Sequence, residues 1–357
     1  MSHDPDDLPP WLVPVLERGL AQPAHALLLH GPGALGQFDL GMALARGWLC
    51  EQPTARGLAC GDCAACRLFT AHSHPDLRVL VPEALRESLG WADPQAPGDE
   101  DGAKSSKAKP SKEIRVDAVR AAIDWGQRTS ARGRAKVILI HPAEAMNAVT
   151  ANALLKTLEE PPGRLRLVLT AHDPEALLPT VRSRCQRLRI DTPGPPEGAA
   201  WLAARGVAEP ELLLAATDGQ PQAALAWVAD GIDAQSWSRV PQWAREGQGA
   251  ALAAWPIPRV VEALTKLCHD LMAQAAGGAP RYFSVESLAP ALRPAPPDLE
   301  RLSAWSRSLT QAARHDEHPW HAALRIEALL AQAAALWQTP RVGLAPSGNA
   351  LDTLLVR

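Results

Sequence analysis

Ala26-Leu27-Leu28-Leu29-His30-Gly31-Pro32-Gly33-Ala34-Leu35-Gly36-Gln37-Phe38 is the stretch from which the fold is read. Its opening run is apolar without polar alternation, which predicts a buried strand. A glycine loop follows, and then a helical pattern through Met42, Leu44 and Ala45. Strand, glycine loop and helix form the setting of a phosphate-binding loop, and Gly31 and Gly36 have its spacing, with Gly33 between them. The two side chains that would carry the chemistry are missing. Gln37 stands where a lysine would charge-match the β- and γ-phosphates, and Phe38 stands where a hydroxyl would ligate Mg²⁺. Taken alone, the loop is equally compatible with an ordinary strand-to-helix turn.

Outward from this stretch the same alternation continues. Leu77 to Val81, Val137 to Ile140 and Leu165 to Leu169 read as further strands, with helical patterns at Val116–Gln127 and Asn147–Glu159 between them. Such alternation predicts an α/β core with a parallel sheet. In the Asn147–Glu159 pattern, Val149, Ala153, Leu154, Leu155 and Leu158 are expected to form an apolar stripe. Asn147 or Thr150 would cap its start, and Pro161-Pro162 would stop it. After Ile140, the acidic pair that would hold Mg²⁺ and polarise water is replaced by His141 and Pro142. Glu144 lies two residues too late, with a minor claim to substitute.

The composition, 46% apolar and 21% charged, is that of a soluble globular chain long enough for two or three domains. No apolar run has the length of a membrane span and no signal sequence precedes the first strand, so a cytoplasmic location without membrane contact is the expectation. Residues 1–190 carry 23 Lys plus Arg against 22 Asp plus Glu, which argues against tight nucleic-acid binding by this part on its own. Residues 92–112 hold no aliphatic residue larger than alanine and no aromatic, and are expected to be a disordered insertion, with Lys104, Lys107, Lys109 and Lys112 solvated. A second break, Asp191-Thr192-Pro193-Gly194-Pro195-Pro196, ends the strand signal. The chain beyond it reads as all-α, with short helical patterns at Glu197–Arg205, Pro210–Thr217 and Pro221–Val228.

Cys50, Cys60, Cys63 and Cys66 are separated by nine, two and two residues. Two overlapping Cys-x-x-Cys steps with a fourth cysteine upstream predict a closed, structural Zn²⁺ site with four thiolates and no open position. His72 and His74 are rival ligands but surplus to four cysteines. His74-Pro75-Asp76 is expected instead to fix the entry to the next strand.

Leu154-Leu155-Lys156-Thr157-Leu158-Glu159-Glu160-Pro161-Pro162 and Val181-Arg182-Ser183-Arg184-Cys185 complete the pattern. Together with the altered glycine loop they resemble the clamp-loader branch of the AAA+ proteins, as found in bacterial DNA polymerase III. The resemblance is specific over 25–66 and 136–189 and weak over 232–357. The 92–112 insertion and the tail after Pro340 depart from it. It implies an AAA+ core with an inserted zinc module (1–190, module 50–66), a helical lid (191–231) and a helical collar that holds the ring (232–357). In Gly219-Gln220-Pro221-Gln222, similar to the family's sensor-2 phrase, Gln222 replaces the phosphate-sensing arginine. Ser183-Arg184-Cys185 corresponds to the family's Ser-Arg-Cys triplet, which implies that Arg184 is an arginine finger acting on a neighbouring subunit's nucleotide. On its residues alone, Arg184 could equally cap a helix or pair with Glu159 or Glu160. Arg182 is a helper or a plain surface charge, and Cys185 a small packing residue.

By resemblance the chain has no ATPase activity of its own while belonging to a DNA polymerase holoenzyme. Its partners would be three ATPase subunits of the gamma/tau type and a delta subunit in a five-membered ring. The assembly would act on a sliding clamp and primed DNA, with the N-terminus of the helix from Asn147 toward the DNA phosphates. Two rivals are an active gamma-type ATPase, opposed by Gln37 and His141, and a zinc-dependent nucleic-acid-binding module, opposed by the balanced charge.

Overall fold

The computed structural model describes residues 8–91, 110–293, 295–314 and 322–338. The expected disordered insertion therefore lies outside the described residues, except for its end. There Ser111 is tied down, donating its N–H to Glu83 Oε2 (3.2 Å) and accepting from Ala84 N (3.1 Å).

Contacts divide the chain into two units, Met1–Ala204 with Gly219–Ala223, and Arg205–Asp218 with Ala224–Arg357. The first contains the strands β1 (Ala26–His30), β2 (Leu77–Leu80), β3 (Lys136–Ile140), β4 (Leu165–Ala171) and β5 (Gln186–Arg189). All pairings are parallel and the order is β2-β3-β4-β1-β5. Its helices are α1 (Val13–Ala21), α2 (Gln37–Leu49), α3 (Ala64–Thr70), α4 (Glu83–Arg86), α5 (Val116–Gly126), α6 (Ala148–Glu159), α7 (Pro179–Arg182) and α8 (Pro195–Ala203).

The parallel α/β core matches the sequence expectation. Every residue of β3 is buried because helices cover both faces of the sheet. Leu28, Ile138, Ile140, Leu167 and Leu169 pack with Val119 of α5 and Leu154 and Leu158 of α6. The alternate residues Leu139 and Val168 lie under α2.

Helix α6 starts and stops where its sequence dictates. Asn147 Oδ1 accepts from Thr150 N at 3.0 Å, and Pro161 and Pro162 follow the last turn. The expected stripe needs one correction: Val149 is 63% exposed. The buried face is Thr150, Ala151, Leu154, Thr157 and Leu158. Val149 lies two residues from Ala151, about 200° around the helix axis, and so faces away from the sheet.

Beyond Arg189 the described residues contain no strand, as the loss of apolar runs predicts. The helices are α9 (Pro210–Ala216), α10 (Pro221–Ala229), α11 (Ala234–Glu246), α12 (Ile257–Ala275), α13 (Val285–Leu292), α14 (Leu299–Arg314) and α15 (Ala322–Ala334). In the second unit Trp237 stacks on Phe283 with ring centroids 4.4 Å apart, and Trp227 lies 4.8 Å from Trp237. Asp270 on α12 is wholly buried and accepts from the backbone N–H groups of Arg281, Tyr282 and Phe283 at 2.8 to 2.9 Å. Asp270→Ala would remove the acceptor of three backbone N–H groups, that of Phe283 buried and the other two part-buried. It is expected to cost about 3 kcal/mol, read as a lower urea midpoint for this unit. Among the described residues no helix is long and apolar enough to cross a membrane.

Candidate functional site

The glycine loop runs from β1 to α2 and is filled by its own chain. Gly31 is required by close approach, since a Cβ there would lie 2.4 Å from Ile190 O. Gly36 turns the chain into α2 with φ 94°. Gln37 is only 2% exposed. Its Nε2 donates to Gly31 O (3.1 Å) and Pro32 O (2.6 Å), and its Oε1 accepts from Leu35 N (3.3 Å). The side chain that would reach outward as a lysine thus folds back and staples the loop shut. Trp11 Nε1 donates to Leu35 O at 3.0 Å and Trp201 meets Trp11 edge-on. Gly33 faces His172 and Gln220.

The neighbouring positions are as thoroughly occupied. Phe38 is buried, its ring 5.1 Å from that of His141. His141 Nδ1 lies 2.7 Å from Thr170 Oγ1 on β4. An aromatic pair and a His–Thr hydrogen bond thus occupy these two positions. Glu144 has another task. Its Oε1 accepts from the N–H groups of His172 (2.5 Å) and Asp173 (2.9 Å), capping the turn after β4. Gln222 Nε2 donates to Asp39 Oδ2 at 2.9 Å, so the sensor-like position is tied to the first turn of α2. Trp11, Asp39, Thr170 and His172 complete this packing. Only their tertiary placement gives them away, because no motif spacing marks them.

Arg184 follows α7 and its side chain is 32% exposed. Nε donates to Glu159 Oε1 at 2.7 Å, a second guanidinium nitrogen reaches the same oxygen, and NH1 donates to Thr180 O at 2.9 Å and Ser183 Oγ at 3.4 Å. The pairing with Glu159 is the one that residue chemistry allowed. Glu159 itself is half exposed, so the guanidinium is oriented at the surface without being enclosed. Arg182 pairs with Glu175. Cys185 is buried in the core beneath, and burial pushes its thiol up to about 12, which makes it an inert packing group. At the start of α6, Asn147 Nδ2 donates to Glu113 Oε2 (3.1 Å), which sets a carboxylate beside that helix N-terminus.

The four cysteines converge. Cys50 ends α2, and Cys63 caps α3 by accepting from Cys66 N. All four sulfurs lie within 4.8 Å of one another, with Cys50 Sγ 3.5 Å from Cys60 Sγ and 3.9 Å from Cys63 Sγ. A tetrahedral ion with Zn–S of about 2.3 Å needs sulfurs about 3.8 Å apart. Backbone N–H groups of Cys60, Cys63 and Cys66 point at the sulfurs of Cys50, Cys60 and Cys63. Burial works against a Cys63 thiolate, but backbone amides at Cys66 and Glu51 and the thiols of Cys66 and Cys60 outweigh it and bring the group down to about 6. The donor set fits a bound ion. His72 and His74 stay outside it: His72 packs on Trp91, and buried His74 accepts from Asp76 N (3.1 Å). Asp76 in turn accepts from Ala131 N and Arg132 N, which fixes the entry to β2 as expected.

The chain is similar in sequence to several known proteins. The sequence profile of the family described as "DNA polymerase III, delta subunit" matches residues 12–194, just over half of the chain. The Pseudomonas aeruginosa DNA polymerase III subunit delta' is 39% identical over 235 residues, 64% of either chain. The Escherichia coli subunit delta' is 36% identical over 226 residues, 61% of this chain and 60% of that one. The chain thus spans under two thirds of the length of these relatives. The Escherichia coli subunit tau is 30% identical over 166 residues, 46% of this chain and 21% of that one. A gamma-subunit-related protein of Thermotoga maritima superposes with a TM-score of 0.45 at 15% identity, covering 90% of this chain and 98% of that one. On the profile match and the delta' relatives together, the chain belongs to the delta-prime family of DNA polymerase III clamp-loader subunits.

Proposed function

We propose that this chain is a non-hydrolysing clamp-loader subunit that supplies Arg184 to the nucleotide of an adjacent ATPase subunit and so helps set a sliding clamp on primed DNA. One observation carries the reading. The glycine loop is stapled shut by Gln37 and backed by Phe38 and His141, while Arg184 in the same unit stands at the surface. A chain built this way cannot hold Mg²⁺–nucleotide at its own loop but can present a guanidinium fork to another's.

In this reading Glu159 and Thr180 O keep the guanidinium in one orientation until a γ-phosphate competes for it. The partners are ATPase subunits of the gamma/tau type and a delta subunit in a ring, with clamp and primer–template DNA engaged by the assembly. Residues 191–231 serve as lid and 232–357 as collar. Zn²⁺ held by Cys50, Cys60, Cys63 and Cys66 pins the loop between α2 and α3 and has no open position for chemistry.

The test is hydrolysis by the purified chain beside its entry into a complex. The chain should join gamma-type and delta subunits in a stable assembly, and alone should release phosphate from ATP at the rate of a protein-free blank. The single change Gln37→Lys should leave that rate at blank level, since Phe38 and His141 still occupy the Mg²⁺ place. Turnover by the unaltered chain would instead favour an active ATPase.

A further inference from the structure

Because all five strands are parallel, the segments that begin β1, β3 and β4 share one edge of the sheet, opposite the glycine loop and His141. Two adjoining clefts of about 530 and 280 Å³ lie along it, with Arg134, Gly163, Arg164 and Leu165 as their common wall. The first adds Arg166 and His25; the second adds Arg128, Lys136 and the hydroxyl residues Thr129 and Ser130. Among the described residues no carboxylate lines either cleft.

The cations are held without salt bridges. Lys136, 5% exposed, donates to Trp125 O at 2.7 Å and lies 3.9 Å above the Trp125 ring. Arg166 donates to Gln22 O and Ala24 O and lies 4.6 Å above the Trp48 ring. Among the described residues Arg128 and Arg134 have no ion-pair partner. Asp76, whose charge acts on Lys136, is itself buried and accepts from the Ala131 and Arg132 amides. The balanced charge of residues 1–190 therefore conceals a segregated one, with a continuous basic edge.

We propose that this edge binds a single strand of nucleic acid through its phosphates. Two cation-lined compartments in series, divided by a wall of two arginines, suit a chain of regularly repeated monoanions, and the hydroxyls of Thr129 and Ser130 add neutral donors of the kind phosphates accept. The faces of Trp48 and Trp125 are already covered by Arg166 and Lys136, so bases find no stacking platform there and binding is indifferent to sequence. The choice of nucleic acid over an acidic protein segment rests on the reading above, in which the assembly engages primer–template DNA.

The test is fluorescence anisotropy of the full chain with fluorescein-labelled twenty-nucleotide oligothymidylate from about 25 to 200 mM KCl. If about four phosphates are contacted, the slope of log K on log salt is about −3. Arg134→Glu with Arg164→Glu should weaken binding at least about tenfold at the lowest salt and flatten the slope by about 1.4. Arg120→Glu, on exposed α5 surface, should change neither. Unaltered thermal melting shows that the double variant is folded. Equal binding by the double variant, no binding by the parent chain at the lowest salt, or tighter binding of a labelled polyglutamate peptide would each overturn the proposal. The Arg184→Ala loader assay is independent of all three, so the two readings fail separately.

Discussion

Arg184→Ala is expected to slow single-turnover ATP hydrolysis at the adjacent site of a reconstituted loader by about 10³-fold or more, with the ring still assembled. The size follows from what the guanidinium does. Charge spreads over the γ-phosphoryl oxygens in the transition state, and a fixed planar fork meets two of them at once. Truncation leaves the fold almost untouched, because Arg184 is part exposed and gives up a surface ion pair with Glu159 and exposed hydrogen bonds to Thr180 O and Ser183 Oγ; such surface pairs are worth about 0 to 1 kcal/mol. Arg184→Lys separates roles, since lysine restores charge but not the fork, and should recover only a minor part of the rate. The measurement is quenched-flow hydrolysis with clamp and primed DNA present, after size-exclusion chromatography has shown an intact ring. Unchanged hydrolysis in intact rings would reduce Arg184 to a surface residue paired with Glu159.

The second large effect concerns the thiol cluster. Metal analysis of the purified chain should find about one zinc per molecule, and Cys63→Ala should abolish it. Loss of the ion turns a closed module into a loop with four clustered thiols, and the melting temperature of the first unit should fall by more than about 6 °C. The effect reaches beyond the loop because Glu51, next to Cys50, receives Arg132 Nε at 2.8 Å and so ties the module to the turn before β3. Chelator added to the unaltered chain should reproduce the shift, and added Zn²⁺ should reverse it. A metal-free preparation with unchanged melting would show that the four cysteines are simply packed thiols.

The fold was legible in the sequence where burial is dictated locally. Unalternated runs such as Val137–Ile140 have no stable place except under helices on both sides, and the sheet puts them there. Asn147 and Pro161-Pro162 bounded α6 because capping and proline sterics act within one turn. Val149 was misplaced on the buried face for want of the helix's rotation about its own axis, which the packing of Ala151 and Leu154 on the sheet fixes. The C-terminal end of the 92–112 stretch also needed the structure, since the tie between Ser111 and Glu83 joins residues 28 apart in sequence.

By itself the sequence determined the parallel core, the strandless character of the described residues beyond Arg189, the absence of the nucleotide-handling side chains and the cysteine quartet. Each follows from residue type and short spacing, because the physics behind it acts over a few residues. Only the tertiary structure decided that Gln37 closes its own loop, that Glu159 holds Arg184, and that a chain of near-zero net charge carries a basic edge. Those depend on which distant residues meet: Trp11 with Leu35, Gln222 with Asp39, and Arg164 with Gly133 at the sheet edge. Coulomb and hydrogen-bond energies fall off over a few ångströms, so they are set by separation in space, which residue spacing along the chain does not specify.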